Sequence, residues 1–303
     1  AHLESNQAPT VPIAIGRKKL SRRVIKNKTV FIQTQEYTNK YLGNNCWRLS
    51  CPPFLLRTNR SLPTDPTFEI KPTGLPYGFG SLNNRPALHR LLLGTELFNR
   101  KLLDQIVFTQ NNTQKSPHHP TVPYPQGEID PRLHQDMDLL ESTPGFLEYK
   151  KLLPIKWQDQ EIQNDAKIHH YAETHTYCNI VTESVTEKIP YDLNVSLPEA
   201  SEKSHKPFMS GQIPLYLAPQ GHSAYFKKLG FELMEDLTPQ GFDNLNTLGK
   251  IRAIADVVAQ GREFIETFYF EHVKEIKHNH DLIFSDKIDQ LILSTIQKCI
   301  QHD

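Results

Sequence analysis

At 303 residues the chain is long enough for two domains of ordinary size, and its 34 lysines and arginines balance 34 aspartates and glutamates. A formal net charge of zero excludes a molecule-wide field that would draw it to nucleic acid or anionic lipid. No apolar run approaches the roughly 20 residues needed to cross a bilayer, so no membrane span is expected. The 22 prolines against 14 glycines point to long, stiff connections. Cys46, Cys51, Cys178 and Cys299 are too scattered for a zinc pattern, and reduced thiols in a cytoplasm are the simplest account of them. The opening AHLESNQAPTVPIAIG lacks the charged-then-apolar order of a secretory signal. Sequons begin at Asn27, Asn59, Asn111 and Asn194, a number that a chain rich in Asn, Ser and Thr produces by chance.

In chain order, residues 17–28 come first as a basic arm, with seven positive charges in twelve positions. Such an arm either tracks a phosphate backbone or stands solvated as a flexible tail. A short β-like run follows at 30–33. Residues 44–76, rich in Pro, Asn and Arg, read as irregular, with one strand expected at 67–71. Leu88, Leu91, Leu92, Leu97, Leu102 and Leu103 recur at helical spacing behind Pro86, so a helix is expected over 86–103, then a strand at 106–109. The proline-rich stretch 110–132 reads as a long loop. A short helix at 146–153 and a polar linker at 156–167 place a domain boundary near residue 165, giving domains 1–165 and 166–303.

Beyond that boundary strands and helices alternate: a buried strand at 177–181, a helix at 201–211, a strand at 213–218 and a helix at 223–229. An amphipathic helix is expected over 248–266, with further helices at 267–279 and 286–301. This alternation predicts an α/β domain with a parallel sheet. Asp136 and Asp138 form a D-x-D in a helix-like segment rather than at a strand end. His118, His119, His169, His170 and His175 lack nearby ligands at metal spacing, so no metal site is expected.

The richest segment is SEKSHKPFMSGQIPLYLAPQGHSAYFKKLGFE, residues 201–232. Lys203 and Lys206 open a helix whose first N–H groups favour an anion, and Glu202 beside them suits sugar hydroxyls. Together these residue types fit a phosphorylated, hydroxyl-rich ligand; the ordinary alternative is a solvated helix start. Glu183 follows a buried strand, where α/β folds place site residues, and pairing with Lys188 is its ordinary alternative. In SLNNRPALHRLLLGTELFNRKLLD, residues 81–104, a second polar group stands at a helix start: Asn83, Arg85, His89 and Arg90. Either arginine suits phosphate and His89 suits proton transfer, or His89 and Arg90 simply solvate the start of a leucine-faced helix.

The two segments, in this order, resemble viral and bacterial glycosyltransferase-like proteins related in their donor domain to the alpha-1,3-fucosyltransferases. Those carry a Thr-Glu-Lys run in the helix corresponding to SEKSHKP, an L-N-x-R-P strand end, and a glutamate where Glu183 stands. Ser201 replaces the family threonine and keeps its hydroxyl. The resemblance implies a GT-B arrangement, two Rossmann-like α/β domains facing across a cleft. It implies metal-independent transfer of a sugar from a UDP- or GDP-linked donor, with no further cofactor. Ser201, Glu202, Lys203, Lys206 and Glu183 are then expected to bind the donor, Glu202 at the ribose and Lys203 at the diphosphate. Arg85, His89 and Arg90 are expected to carry catalysis, His89 as the first candidate base. The acceptor is open between a hydroxymethylated pyrimidine of viral DNA and a glycan or lipopolysaccharide hydroxyl. A host cytoplasm is the expected location for a viral protein, and a non-catalytic binding protein of the same fold stays open too. Lys277, His278 and Asn279 match a K-H-N of related sequences, for which packing between domains is expected.

Overall fold

The computed structural model describes the short strands between residues 13 and 50, and residues 67–83, 86–112, 134–157, 171–183, 202–287 and 290. Its first sheet contains β1 (Ile13–Ile15), β2 (Thr29–Gln33), β3 (Lys40–Gly43) and β4 (Cys46–Ser50) in the order β1-β2-β4-β3. Only β3 runs antiparallel. The run expected at 30–33 is β2, whereas β4 lies in a stretch read as irregular. The strand expected at 67–71 is absent, and the Lys71 N–H is instead donated to the Tyr269 hydroxyl at 3.1 Å.

The second sheet contains β5 (Phe79–Asn83), β6 (Ile106–Gln110), β7 (Cys178–Thr182) and β8 (Ile213–Leu217), all parallel, in the order β6-β5-β7-β8. Every residue of β6 and β7 is buried, as expected of strands covered on both faces. The crossover from β5 to β6 steps one way along the sheet and that from β7 to β8 steps the other. Right-handed crossovers therefore put their helices on opposite faces. The helices of the first connections are α1 (Leu88–Asn99), α2 (His134–Ser142), α3 (Phe146–Lys150) and α4 (Tyr171–Thr174). Then come α5 (Glu202–Met209), α6 (His222–Lys228), α7 (Thr247–Ala259), α8 (Arg262–Glu271) and α9 (Val273–Phe284). Helix α7 packs on α1 and β8, and α9 packs on α5. The chain is thus a mixed α/β protein with a Rossmann-like parallel sheet.

The expected boundary near residue 165 falls between strands of this one sheet, because β5 from before it hydrogen-bonds β7 from after it. The long amphipathic helix expected over 248–266 is divided: α7 ends at Ala259 and Gly261, at φ +87°, turns the chain into α8. Helix α7 begins at a side-chain cap, Asn246 accepting from the Gly249 N–H at 2.8 Å. Helix α5 ends in a Schellman turn: Gly211 adopts φ +60°, and the Gln212 N–H reaches back to the Pro207 carbonyl at 2.8 Å. In β8 the register turns the main-chain groups of Pro214 away from β7, where a missing N–H costs no ladder bond. Proline fits there because β8 is an edge strand.

Helices α1 and α3 meet at Gly94, where a Cβ would lie 2.0 Å from the fully buried Tyr149 hydroxyl oxygen. Gly94→Ala must push the helices apart or displace the tyrosine, and overpacking of this kind costs about 2 kcal/mol. A urea titration checks this; an unchanged midpoint would mean that the contact is soft.

Candidate active site

Parallel α/β sheets bind ligands outside the carboxyl ends of their strands, where the strand order reverses. Here that point lies between β5 and β7, the two strands whose chains leave in opposite directions. Asn83 ends β5, and its Oδ1 accepts from Thr182 Oγ1 at 2.6 Å across the strand ends. Its Nδ2 donates to Ser81 Oγ at 3.1 Å, so these side chains satisfy one another and form a closed floor.

Helix α1 starts directly above this floor with no side-chain cap and no acidic residue in its first turn. His89 and Arg90 are both buried, at 6% and 3% exposure, and both turn to the end of β7. Arg90 Nη2 donates to the carbonyls of Thr182 and Glu183, each at 3.2 Å. His89 Nε2 lies 2.8 Å from the Glu183 carbonyl and must carry the proton, since a carbonyl only accepts. Burial first, then the charge of Arg90, push the His89 pKa down to about 3; the Glu183 hydrogen bond opposes this and the charge of Lys203 adds to it. The ring is therefore neutral and weakly basic at physiological pH. Its arrangement lends nothing to a role as general base; what it does is fix the main chain of Glu183.

The Glu183 side chain, fully buried, reaches α5, where Ser204 Oγ hydrogen-bonds Glu183 Oε1. Ser204 Oγ also lies 3.0 Å from Nε2 of His222, the first residue of α6, and the Tyr216 hydroxyl donates to the Ser204 carbonyl at 2.8 Å. Three helix starts and two strand ends thus close around one residue, Glu183. A second buried cation caps the neighbouring strand: Lys250 Nζ donates to Ala218 O at 2.9 Å and Pro219 O at 3.3 Å, with Asp243 Oδ1 at 3.7 Å. Burial lowers the Lys250 pKa, and Asp243 opposes that shift. Asp243 in turn accepts from the Ser223 and Ala224 N–H groups at the start of α6. Positive charge therefore underlies the carboxyl ends of both β7 and β8.

Of the residues expected from the sequence, His89, Arg90 and Glu183 come together here, with the half-buried Lys203 in the first turn of α5 near enough for its charge to act on His89. Glu202 opens α5, but its side chain and those of Arg85 and Ser201 lie outside the described residues. Lys206 is directed elsewhere, its Nζ 3.4 Å from the buried Glu173 of α4, which precedes β7 rather than following it. Lys206→Ala should therefore cost stability, about 3 kcal/mol for a buried carboxylate that loses a charged partner, and not ligand affinity. Denaturation set beside nucleotide titration separates the two effects.

Asp138 is exposed on α2, while the side chain of Asp136 on the same helix, and all of His118, His119, His169 and His170, lie outside the described residues. Among the described residues no group of three potential metal ligands converges. Packing between domains is expected of the K-H-N, but Asn279 instead holds the turn after α6: it clamps the Glu232 main chain with bonds of 2.7 and 2.6 Å, and His278 lies 2.9 Å from Gly230 O. A groove of about 600 Å³ runs along the unpaired edge of β8, lined by Pro214, Tyr216, Ser223, Lys227 and Asp236 among others. None of His89, Arg90, Glu183 or Lys203 lines it, and the clustered strand ends carry the chemistry that the groove lacks. Sequence reading passed over Ser204 and His222. The signals were there: Ser204 sits inside SEKSHKP, and His222 follows the glycine turn after β8. No family model, no curated protein and no solved structure matches the chain.

Proposed function

We propose that the chain is a glycosyltransferase that moves a sugar from a UDP- or GDP-linked donor to an acceptor hydroxyl, in the GT-B arrangement. One observation carries this reading: Arg90, Glu183 and Lys203, from three separate elements, gather at the switch point between β5 and β7. A donor unit built on this sheet takes in residues 79–110 as well as those after 165. In the mechanism, the uncapped start of α1 and the start of α5 face the donor diphosphate. Lys203, with an arginine from 85–90, offsets the charge that grows on the leaving diphosphate as the glycosidic bond breaks. Glu202 holds the ribose, and the buried Glu183 anchors the starts of α1 and α5 beneath the donor.

Incubation with a panel of UDP- and GDP-sugars tests the reading through release of nucleoside diphosphate. Release from at least one donor is expected, and none from any donor, with no nucleotide bound, would overturn it. Binding of UDP or GDP without turnover would instead favour a non-catalytic binding protein, the reading that the neutral, tethered His89 ring supports. For the acceptor, a gel shift with duplex DNA at two salt concentrations separates DNA from glycan, because phosphate contacts give steep salt dependence. No helix among the described residues is long and apolar enough to cross a membrane.

A further inference from the structure

Among the described residues no strand pairs with the outer edge of β8. The Ile213 N–H donates to Tyr177 O, and Leu217 O accepts from the Glu183 N–H, so alternate residues of β8 face β7. Pro214 and Tyr216 turn their main chain the other way. Among the described residues nothing takes the Pro214 carbonyl or the N–H and carbonyl of Tyr216. Tyr216 is fixed from beneath, its ring stacked 5.5 Å from Phe226 and its hydroxyl donating to Ser204 O at 2.8 Å. Two acceptors and one donor therefore stand ready on a rigid edge. The groove of about 600 Å³ runs beside them, and the run 233–244 forms its far side. That wall selects the occupant. A second copy pairing its own β8 edge would bring its own wall against this one, whereas a single extended segment enters between edge and wall. Pro214, which has no N–H, keeps the pairing short.

Charge narrows the choice further. Among the described residues Glu235, Asp236 and Asp243 line the groove against a single base, Lys227. Lys227 pairs with Glu235, and Asp243 faces the buried Lys250 at 3.7 Å. Asp236 stands on the rim, 64% exposed, with His272 Nε2 at 3.4 Å. The groove thus has an acid to offer and no base that is not already engaged. Leu233 and Met234, both half-buried, supply apolar lining. Side chains of an extended chain alternate, so one set meets this lining while the other reaches the acidic rim. We infer that the β8 edge docks an extended segment of a partner protein, alternating apolar and basic residues, as one further strand of the sheet.

Fluorescence anisotropy with the full-length protein tests this, the probe being a labelled hexapeptide of alternating lysine and valine. It should bind about tenfold more tightly than the glutamate–valine peptide. Methylating its main-chain nitrogens in one of the two alternate frames should weaken binding about tenfold more than in the other, because only one frame donates to Pro214 O and Tyr216 O. Asp236→Asn, an exposed change, should lower affinity about threefold. Hydrogen exchange should slow across β8 when the peptide binds. None of these readouts involves the nucleotide site. No binding of either peptide, equal binding of both, equal losses in the two methylated frames, or protection confined to elements other than β8 would overturn the inference. Binding seen only after deletion of residues 17–28 would mean that the chain's own basic arm fills the groove, and a dimer that the peptide dissociates would mean that a second copy does. Either result overturns it as well.

Discussion

Acidification from pH 7 to pH 5 should remove about 6 kcal/mol of folding stability, of the order of a domain's whole stability. His89, His205 and His222 are all buried, and burial is the first cause that lowers each pKa to about 3. Arg90 and Lys203 add to the effect on His89, and His222 adds to that on His205. Lys250 lowers His222 further, while Asp243 opposes it. In the unfolded chain each ring titrates near pH 6.5. The sign follows: above that value neither state binds these protons, and stability is fully present. As pH falls below it the unfolded state takes up three protons that the folded state refuses, and stability drops until the folded pKa is reached. Each ring contributes about 2 kcal/mol at pH 5, which sums to the figure above. Urea midpoints between pH 7.5 and 5 should therefore fall steeply, with a limiting slope near three protons. His205→Phe, which replaces a ring already packed 5.7 Å from Phe226, should lower that slope by one proton. A flat profile would mean that water reaches these rings.

Lys203→Ala should lower sugar transfer by about a hundredfold or more while leaving the melting temperature close to wild type. The two effects separate because of where Lys203 stands. It is half-buried in the first turn of α5, its ammonium adding to the N–H groups of a helix start at the switch point. Its neighbour one turn on behaves oppositely, since Lys206 answers a buried Glu173 on the far side of β7. Steady-state rates with the best donor and a thermal melt of both variants make the comparison. If Lys203→Ala turned over normally while Lys206→Ala lost activity without losing stability, the assignment of the diphosphate to Lys203 would fail.

How much of this was legible in the sequence depends on the range of each interaction. Strands β7 and β8 and helices α1, α5 and α6 are local patterns, all but β7 bounded by glycine or proline, and the sequence reading placed them within a few residues of their observed ends. The division of 248–266 at Gly261 is carried by a single φ beyond the reach of hydrophobic spacing. Strand order is a long-range property. Pairing of β5 with β7 across about a hundred residues leaves no local trace, and so a linker-like stretch at 156–167 read as a boundary although the sheet spans it. At the site, His89, Arg90 and Lys203 stand out in sequence as basic types at helix starts, and Glu183 as an acid just past a buried strand. Lys203 and Lys206 read alike as paired cations, yet the helix turns them toward different partners. Ser204 and His222 are ordinary in sequence and become significant only when the fold places Ser204 between Glu183 and His222.

Underneath these outcomes lies a single physical proposition, that pyrophosphate settles where the strand order of the parallel sheet reverses. Crystals soaked with UDP and with GDP test it most directly. The expected density places the two phosphates over the carboxyl ends of β5 and β7, against the starts of α1 and α5, with Lys203 Nζ in contact. Nucleotide found instead in the groove beside the β8 edge, or bound nowhere at saturating concentration, would contradict it.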